Sequence, residues 1–344
     1  MRKDQIIKDF LSKAEVPLYV VYRYVKGQPN ELKDMRELCL ASVEEANQFV
    51  ALEYLYVNGL YDELNIMLKK TEHASSRWIR KATRFYQMMY ERKALRAKQL
   101  KPDAPAKYIR IANRIKLEEG DYVSQILRDL LYVYSYFDMH QYGKIGTFHQ
   151  LLKDNLSRVQ DPLLHELLEN RLTEVMFNYH WKRNELILSR KYGYKLLKET
   201  NNARKKIDIH NMLAQGYLFE SYDQAMHHVF VAIELANQIQ YERALYGLKN
   251  YTLPFIAAYY QRTEGITSED LAEQAHIALA ENDIDTCIRI LEGFEELTPF
   301  QQYYLGKAKQ DKYLLRTAYQ RFIEERDDYF YARLPLEALN ALDQ

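Results

Sequence analysis

Apolar side chains recur at i, i+3, i+4 and i+7 along almost the whole chain, the spacing that gathers them on one face of an α-helix. Prolines and glycines fall between these periodic stretches, as punctuation. Pro17, Pro29, Pro105, Pro162 and Pro299 each sit where a first helical turn tolerates a missing N–H. Asp161-Pro162 and Thr298-Pro299 read as an N-cap followed by the first helical residue, and Ser268-Glu269-Asp270 opens a further helix. Short turns between successive helices make neighbours antiparallel, the pattern of a helical-hairpin array.

A weak repeat runs through this array. A turn residue, then a small or apolar residue three further on, recurs at Tyr61-Asp62-Glu63-Leu64, Tyr142-Gly143-Lys144-Ile145, Arg183-Asn184-Glu185-Leu186, Tyr222-Asp223-Gln224-Ala225 and Ile284-Asp285-Thr286-Cys287. From Tyr142 to Arg183 is 41 residues and on to Tyr222 a further 39, longer than the roughly 34 of an ideal tetratricopeptide repeat. The expected fold is therefore an all-α, right-handed, tetratricopeptide-like helical solenoid; an irregular helical bundle is the rival. Residues 1–40 form a small head. Lys3 to Ser12 reads as a short helix, Lys13 to Val16 as a turn and Pro17 to Lys26 as a second helix carrying Tyr19, Arg23 and Lys26, so the head resembles part of a helix-turn-helix.

Composition narrows the class. Glycine (11) and proline (8) in 344 residues are under half of their combined average usage of roughly 12%, which disfavours large all-β and Rossmann-type folds. Hydrophobic residues at 47% are enough for a full core. Charges in the opening MRKDQIIKDF stand where a signal peptide needs an apolar run, and the uncharged stretch from Asn250 to Gln261 is far short of the ~20 residues that span a bilayer. Two cysteines suit a reducing cytosol. The expectation is a cytoplasmic protein without membrane contact.

The 48 basic and 48 acidic residues cancel overall but not locally. Residues 75–116 hold thirteen basic side chains against two acids, and residues 267–300 hold nine acids against Arg289. Within the basic stretch Arg77, Arg80, Lys81 and Arg84 fall at i, i+3, i+4 and i+7, one helical face suited to a phosphate backbone. Double-stranded DNA is thus an expected partner; a solvated face paired with acids elsewhere is the plainer alternative. Catalytic signatures are missing. Leu305-Gly306-Lys307 lacks the upstream glycine of a phosphate-cradling loop, and His165-Glu166 lacks the second histidine that a zincin helix places at i+4. No enzyme activity, metal or cofactor is expected.

The ordered series Asp270 to His276, Tyr303 to Lys307 and Asp328-Tyr329-Phe330-Tyr331-Ala332-Arg333-Leu334-Pro335-Leu336 resembles the arbitrium receptor (AimR) family, the peptide-pheromone receptors of temperate phages. Met176 to Asn178 and Arg204 to Tyr222 are similar to their counterparts there as well. The resemblance implies a transcription regulator that binds a short secreted signalling peptide inside its superhelix, dimerises, and alters DNA binding in the lysis–lysogeny decision. It divides the chain into a shortened helix-turn-helix head, 1–40, and a superhelix, 41–344, whose peptide-binding part is about 160–344. Carried over by position, Asn178, Arg204, Leu218, Asp328 and Phe330 match peptide-binding positions. Asn bonds a peptide backbone, Arg a carboxylate and Asp a basic side chain or amine, while Leu218 and Phe330 supply apolar walls. Lys182 and Gln215 stand where the family pattern has asparagines, which implies a different peptide or none. The other reading is a protein-interaction adaptor that no longer binds DNA.

Overall fold

The computed structural model describes residues 7, 10, 16–95 and 103–343. Apart from Ile7 and Phe10, the expected helix from Lys3 to Ser12 and most of the turn after it lie outside the described residues, as do Arg96, Lys98 and Lys101 of the basic stretch. Among the described residues the chain is all-α with no strand, a run of antiparallel helical hairpins of the tetratricopeptide-like solenoid class.

One turn is used again and again. Helix Glu45–Val57 is separated from Tyr61–Thr71 by three residues, and the middle one, Gly59, is left-handed (φ 68°). The same three-residue link with a left-handed centre follows Pro162–Lys182 (Asn184), Tyr222–Gln238 (Gln240), Leu271–Ala280 (Asn282) and Pro299–Ala308 (Gln310). In each, the N–H after the left-handed residue bonds the carbonyl five back: Leu60 to Leu55 (3.0 Å), Glu185 to His180, Tyr241 to Ala236, Asp283 to Ala278 and Asp311 to Gly306 (each 2.8 Å). This is the Schellman closure, which satisfies carbonyls left over at a helix end. Asp283 and Asp311 then cap the next helix with their carboxylates.

The chain forms two compact units, residues 1–139 with 144–175, and residues 140–143 with 176–344. In the first, Glu45–Val57 is buried from Asn47 to Tyr56. It includes a wholly buried Glu53, whose Oε2 accepts from Arg171 Nη1 at 2.7 Å and from the Tyr86 hydroxyl. Arg92 and Asp138 make a second buried pair, bidentate, with the Tyr134 ring 4.9 Å from the guanidinium.

In the second unit Thr298 and Gln301 close a full capping box, and Asp270 caps Leu271–Ala280. A π-turn, Leu248–Thr252, interrupts one helix just before Pro254. Proline brings no N–H for the carbonyl of Asn250, and the Ser268 hydroxyl takes that carbonyl instead, at 2.7 Å. The core here unites Leu218, Ala225, Phe255, Tyr304, Phe322 and Phe330.

Candidate ligand-binding site

Five of the seven expected peptide-binding residues converge in the second unit. Helix Pro162–Lys182 ends at Lys182, whose carbonyl has no partner within the helix. The backbone N–H groups of Tyr329 and Phe330 bond it at 2.9 and 3.3 Å. The left-handed Asp327 (φ 49°) turns the chain after Lys312–Glu324 so that these donors reach it, and Asp327 Oδ2 accepts from Gly143 N at 3.2 Å. Asp328 is then aimed at Lys182: Nζ donates to Oδ2 at 2.7 Å, and Oδ1 takes the Tyr331 N–H at 3.1 Å. Both side chains are buried. Burial pulls the Lys182 ammonium below the ordinary lysine range, and the Asp328 carboxylate opposes that pull.

Three rings complete the surroundings of that ammonium. Trp181, Tyr331 and Tyr142 have centroids 4.1, 4.7 and 5.2 Å from Nζ. The Tyr331 hydroxyl donates to Gln215 Oε1, which ties Gln215 into the cluster. Phe330 packs on Phe219, Tyr331 and Trp181 at centroid distances of 4.9, 4.9 and 5.8 Å. Phe330 and Leu218, expected as apolar walls, are wholly buried and belong to the hydrophobic core of this unit.

Arg204 is placed differently. It stands exposed in the first turn of Ala203–Gly216, its guanidinium 5.0 Å from the Tyr241 ring, with no carboxylate partner among the described residues. It does not pair with Asp328. Gln215 lies eleven residues further along the same helix, about 16 Å at 1.5 Å per residue. Asn178 sits half-buried one turn before Lys182.

Sequence reasoning passed over the turn itself. Trp181 Nε1, Arg183 Nε and Asn184 Oδ1 are buried atoms without a hydrogen-bond partner among the described residues. Three such atoms in four consecutive residues are unusual, since buried polar groups are nearly always paired. It also missed the three rings around Lys182, those of Tyr142, Trp181 and Tyr331. The one available signal was Trp181 standing next to the unexpected Lys182.

The expected DNA-facing residues belong to the first unit and are mostly engaged internally. Lys81 is buried and bonds Asp121 at 2.7 Å; Arg80 bonds the carbonyls of Ala74 and Ser75; Arg77 lies 3.8 Å from Glu118. Arg84 is exposed and unpaired among the described residues. On Leu18–Val25, Tyr19 is half-buried and Arg23 exposed, while Lys26, just past its end, bonds Glu166 at 2.6 Å.

Among the described residues no cluster of His, Cys, Asp or Glu is arranged to hold a metal ion, and no helix is long and apolar enough to cross a membrane. An uncharacterized Bacillus anthracis protein, pXO2-35, is 22% identical over 236 residues, covering 65% of this chain and 86% of that one. The solved phAimR–ligand structure matches with a TM-score of 0.71 at 17% identity, over 98% of this chain and 96% of that one. A selenomethionine phAimR structure matches at 0.67 and 16% identity, over 94% of this chain and 86% of that one. These two likenesses establish a common fold. The family model described as AimR transcriptional regulator-like spans residues 31–341, and the chain belongs to that family.

Proposed function

We propose that this protein is an arbitrium-type receptor that binds a short peptide on its second unit and thereby switches its hold on DNA or on a partner protein. The unpartnered buried atoms of Trp181, Arg183 and Asn184, beside Lys182, support this reading most directly. Two donors and one acceptor are what a peptide backbone satisfies, and an unfilled set costs free energy in the unliganded protein. Arg204, exposed and without a carboxylate partner among the described residues, complements a peptide's C-terminal or side-chain carboxylate. The family relation and the ligand carried by phAimR point the same way.

Arg204→Ala is expected to weaken peptide affinity about 10- to 100-fold, the worth of one charge-assisted bond, while leaving the helical content unchanged. The probe is a set of short synthetic peptides matching the C-termini of small secreted proteins encoded beside the gene, titrated by calorimetry. If no peptide binds the wild type, or if Arg204→Ala binds as well as the wild type, the receptor reading is lost.

For DNA, the exposed Arg77, Arg84 and Arg23 are the remaining candidates for phosphate contact, with Tyr19 and Lys26 beside Arg23. The double change Arg77→Glu, Arg84→Glu is expected to flatten the slope of log affinity against log salt by about 2, equally for unrelated duplexes. Fluorescence anisotropy across a salt series measures it. An unchanged slope favours the second reading, a protein-interaction adaptor. The pairing of Lys81 with Asp121 and the bonds from Arg80 to the carbonyls of Ala74 and Ser75 already engage two of the four cations of the basic face and give that reading its specific support.

A further inference from the structure

A carboxylate and three aromatic rings around one ammonium make a cation-binding cage, the arrangement proteins use to recognise ammonium ligands. Here Asp328, Trp181, Tyr331 and Tyr142 form the cage, and the cation inside belongs to the chain itself. We infer that Lys182 is the built-in occupant of a cation subsite, so that the ligand of this receptor carries no basic group at that point. The consequence for the ligand rests on the receptor reading above; the cage and its occupant do not.

The placement argues for an occupant rather than an ordinary core residue. Lys182 is the last residue of its helix, and its stem turns inward while its carbonyl is held by Tyr329 and Phe330. The cage is assembled from three separate stretches: Tyr142, Trp181 and the segment Asp328–Tyr331. The buried, unpartnered atoms of Trp181, Arg183 and Asn184 lie in the same turn, so hydrogen-bonding capacity there is unused while the charge position is already filled. The basic functions of such a ligand are thereby disfavoured, because a second cation has no counter-charge within the cage. Its acidic function retains a complement in Arg204. The ligand class is a neutral or acidic peptide.

Lys182→Ala empties the cage and strands Asp328. The expected results are a lowered melting midpoint and a saturable rise in that midpoint with n-butylammonium or n-butylguanidinium chloride at millimolar concentration. The wild type and the double variant Lys182→Ala, Asp328→Asn should show no such rise, the first because the cage is full and the second because its charge is gone. If Lys182→Ala does not fold in buffer alone, its refolding yield with and without n-butylammonium reads the same thing by circular dichroism. A second arm uses N-acetyl-arginyl-glycine amide, expected to bind Lys182→Ala and not the wild type. Absence of amine rescue in both midpoint and refolding, or equal rescue of the double variant, would overturn the inference. Failure of the wild type to bind any peptide would sink the receptor reading alone, since amine rescue needs no peptide.

Discussion

Arg171→Met should destabilise the first unit by about 3–5 kcal/mol, the usual cost of leaving one member of a buried ion pair alone. Arg171 is the largest fully buried side chain among the described residues, and every part of its head is used. Nη1 bonds Glu53, Nε bonds the Tyr134 hydroxyl at 3.0 Å, Nη2 lies 3.0 Å from Met89 Sδ, and the Tyr56 ring is 4.7 Å away. Methionine fills much of the volume but leaves Glu53 with the Tyr86 hydroxyl as its one hydrogen-bonding side chain among the described residues, its Oε1 being already unpaired. The change Glu53→Gln made together with Arg171→Met removes the stranded charge and should recover a large part of the loss. Urea denaturation followed by circular dichroism, with amide exchange in Glu45–Val57 as the local reading, checks both. A single variant within about 1 kcal/mol of the wild type would show that the pair contributes no more than an exposed one.

The second large effect runs the other way. Glu273→Gln should stabilise the second unit by about 3 kcal/mol at pH 7. Burial pushes the Glu273 carboxyl up to about 8, with the nearby Asp270 charge adding to the rise. The folded chain therefore keeps a proton that the unfolded chain releases. Stability from that proton is complete below the ordinary glutamate range near 4.5 and is lost as pH climbs through 8. Glutamine is neutral throughout and can keep the 3.4 Å bond from the Tyr304 hydroxyl. His276, 3.6 Å from the Glu273 carboxylate, wholly buried and stacked on Tyr304, behaves oppositely. Burial pulls it down to about 3, with Lys307 acting in the same direction, so its contribution is present above about 6.5 and lost as pH falls toward 3. The substitution should thus remove the alkaline limb of the stability profile and leave the acid limb. Parallel profiles for variant and wild type between pH 5 and 9 would refute this.

Fold class was legible because helical periodicity and N-cap signals are local. Thr298 caps as its spacing implies, and Leu186, Tyr222 and Ile284 open helices at or beside the repeat positions. The low glycine content concealed how regular the turns are, since Asn184, Gln240, Asn282 and Gln310 occupy left-handed positions that glycine usually fills. The site was legible only in part. Asp328 and Phe330 stood out in the chain, but nothing local shows that Lys182, 146 residues away, neutralises Asp328. The pairing within the basic stretch was hidden for a similar reason: Asp121 and Asp138, which hold Lys81 and Arg92, lie beyond its end and enter only through packing.

The repeated three-residue turn also governs how the protein meets a protease. Cleavage requires a length of extended backbone threaded through the protease cleft, and exposed loop tips normally supply it. At Gly59, Asn184, Gln240, Asn282 and Gln310 the chain passes from one helix to the next with its N–H groups already bonded backwards. Such a junction offers no slack to thread. Cutting there must wait until a whole hairpin opens, so digestion at these junctions follows the free energy of hairpin opening rather than the accessibility of any turn.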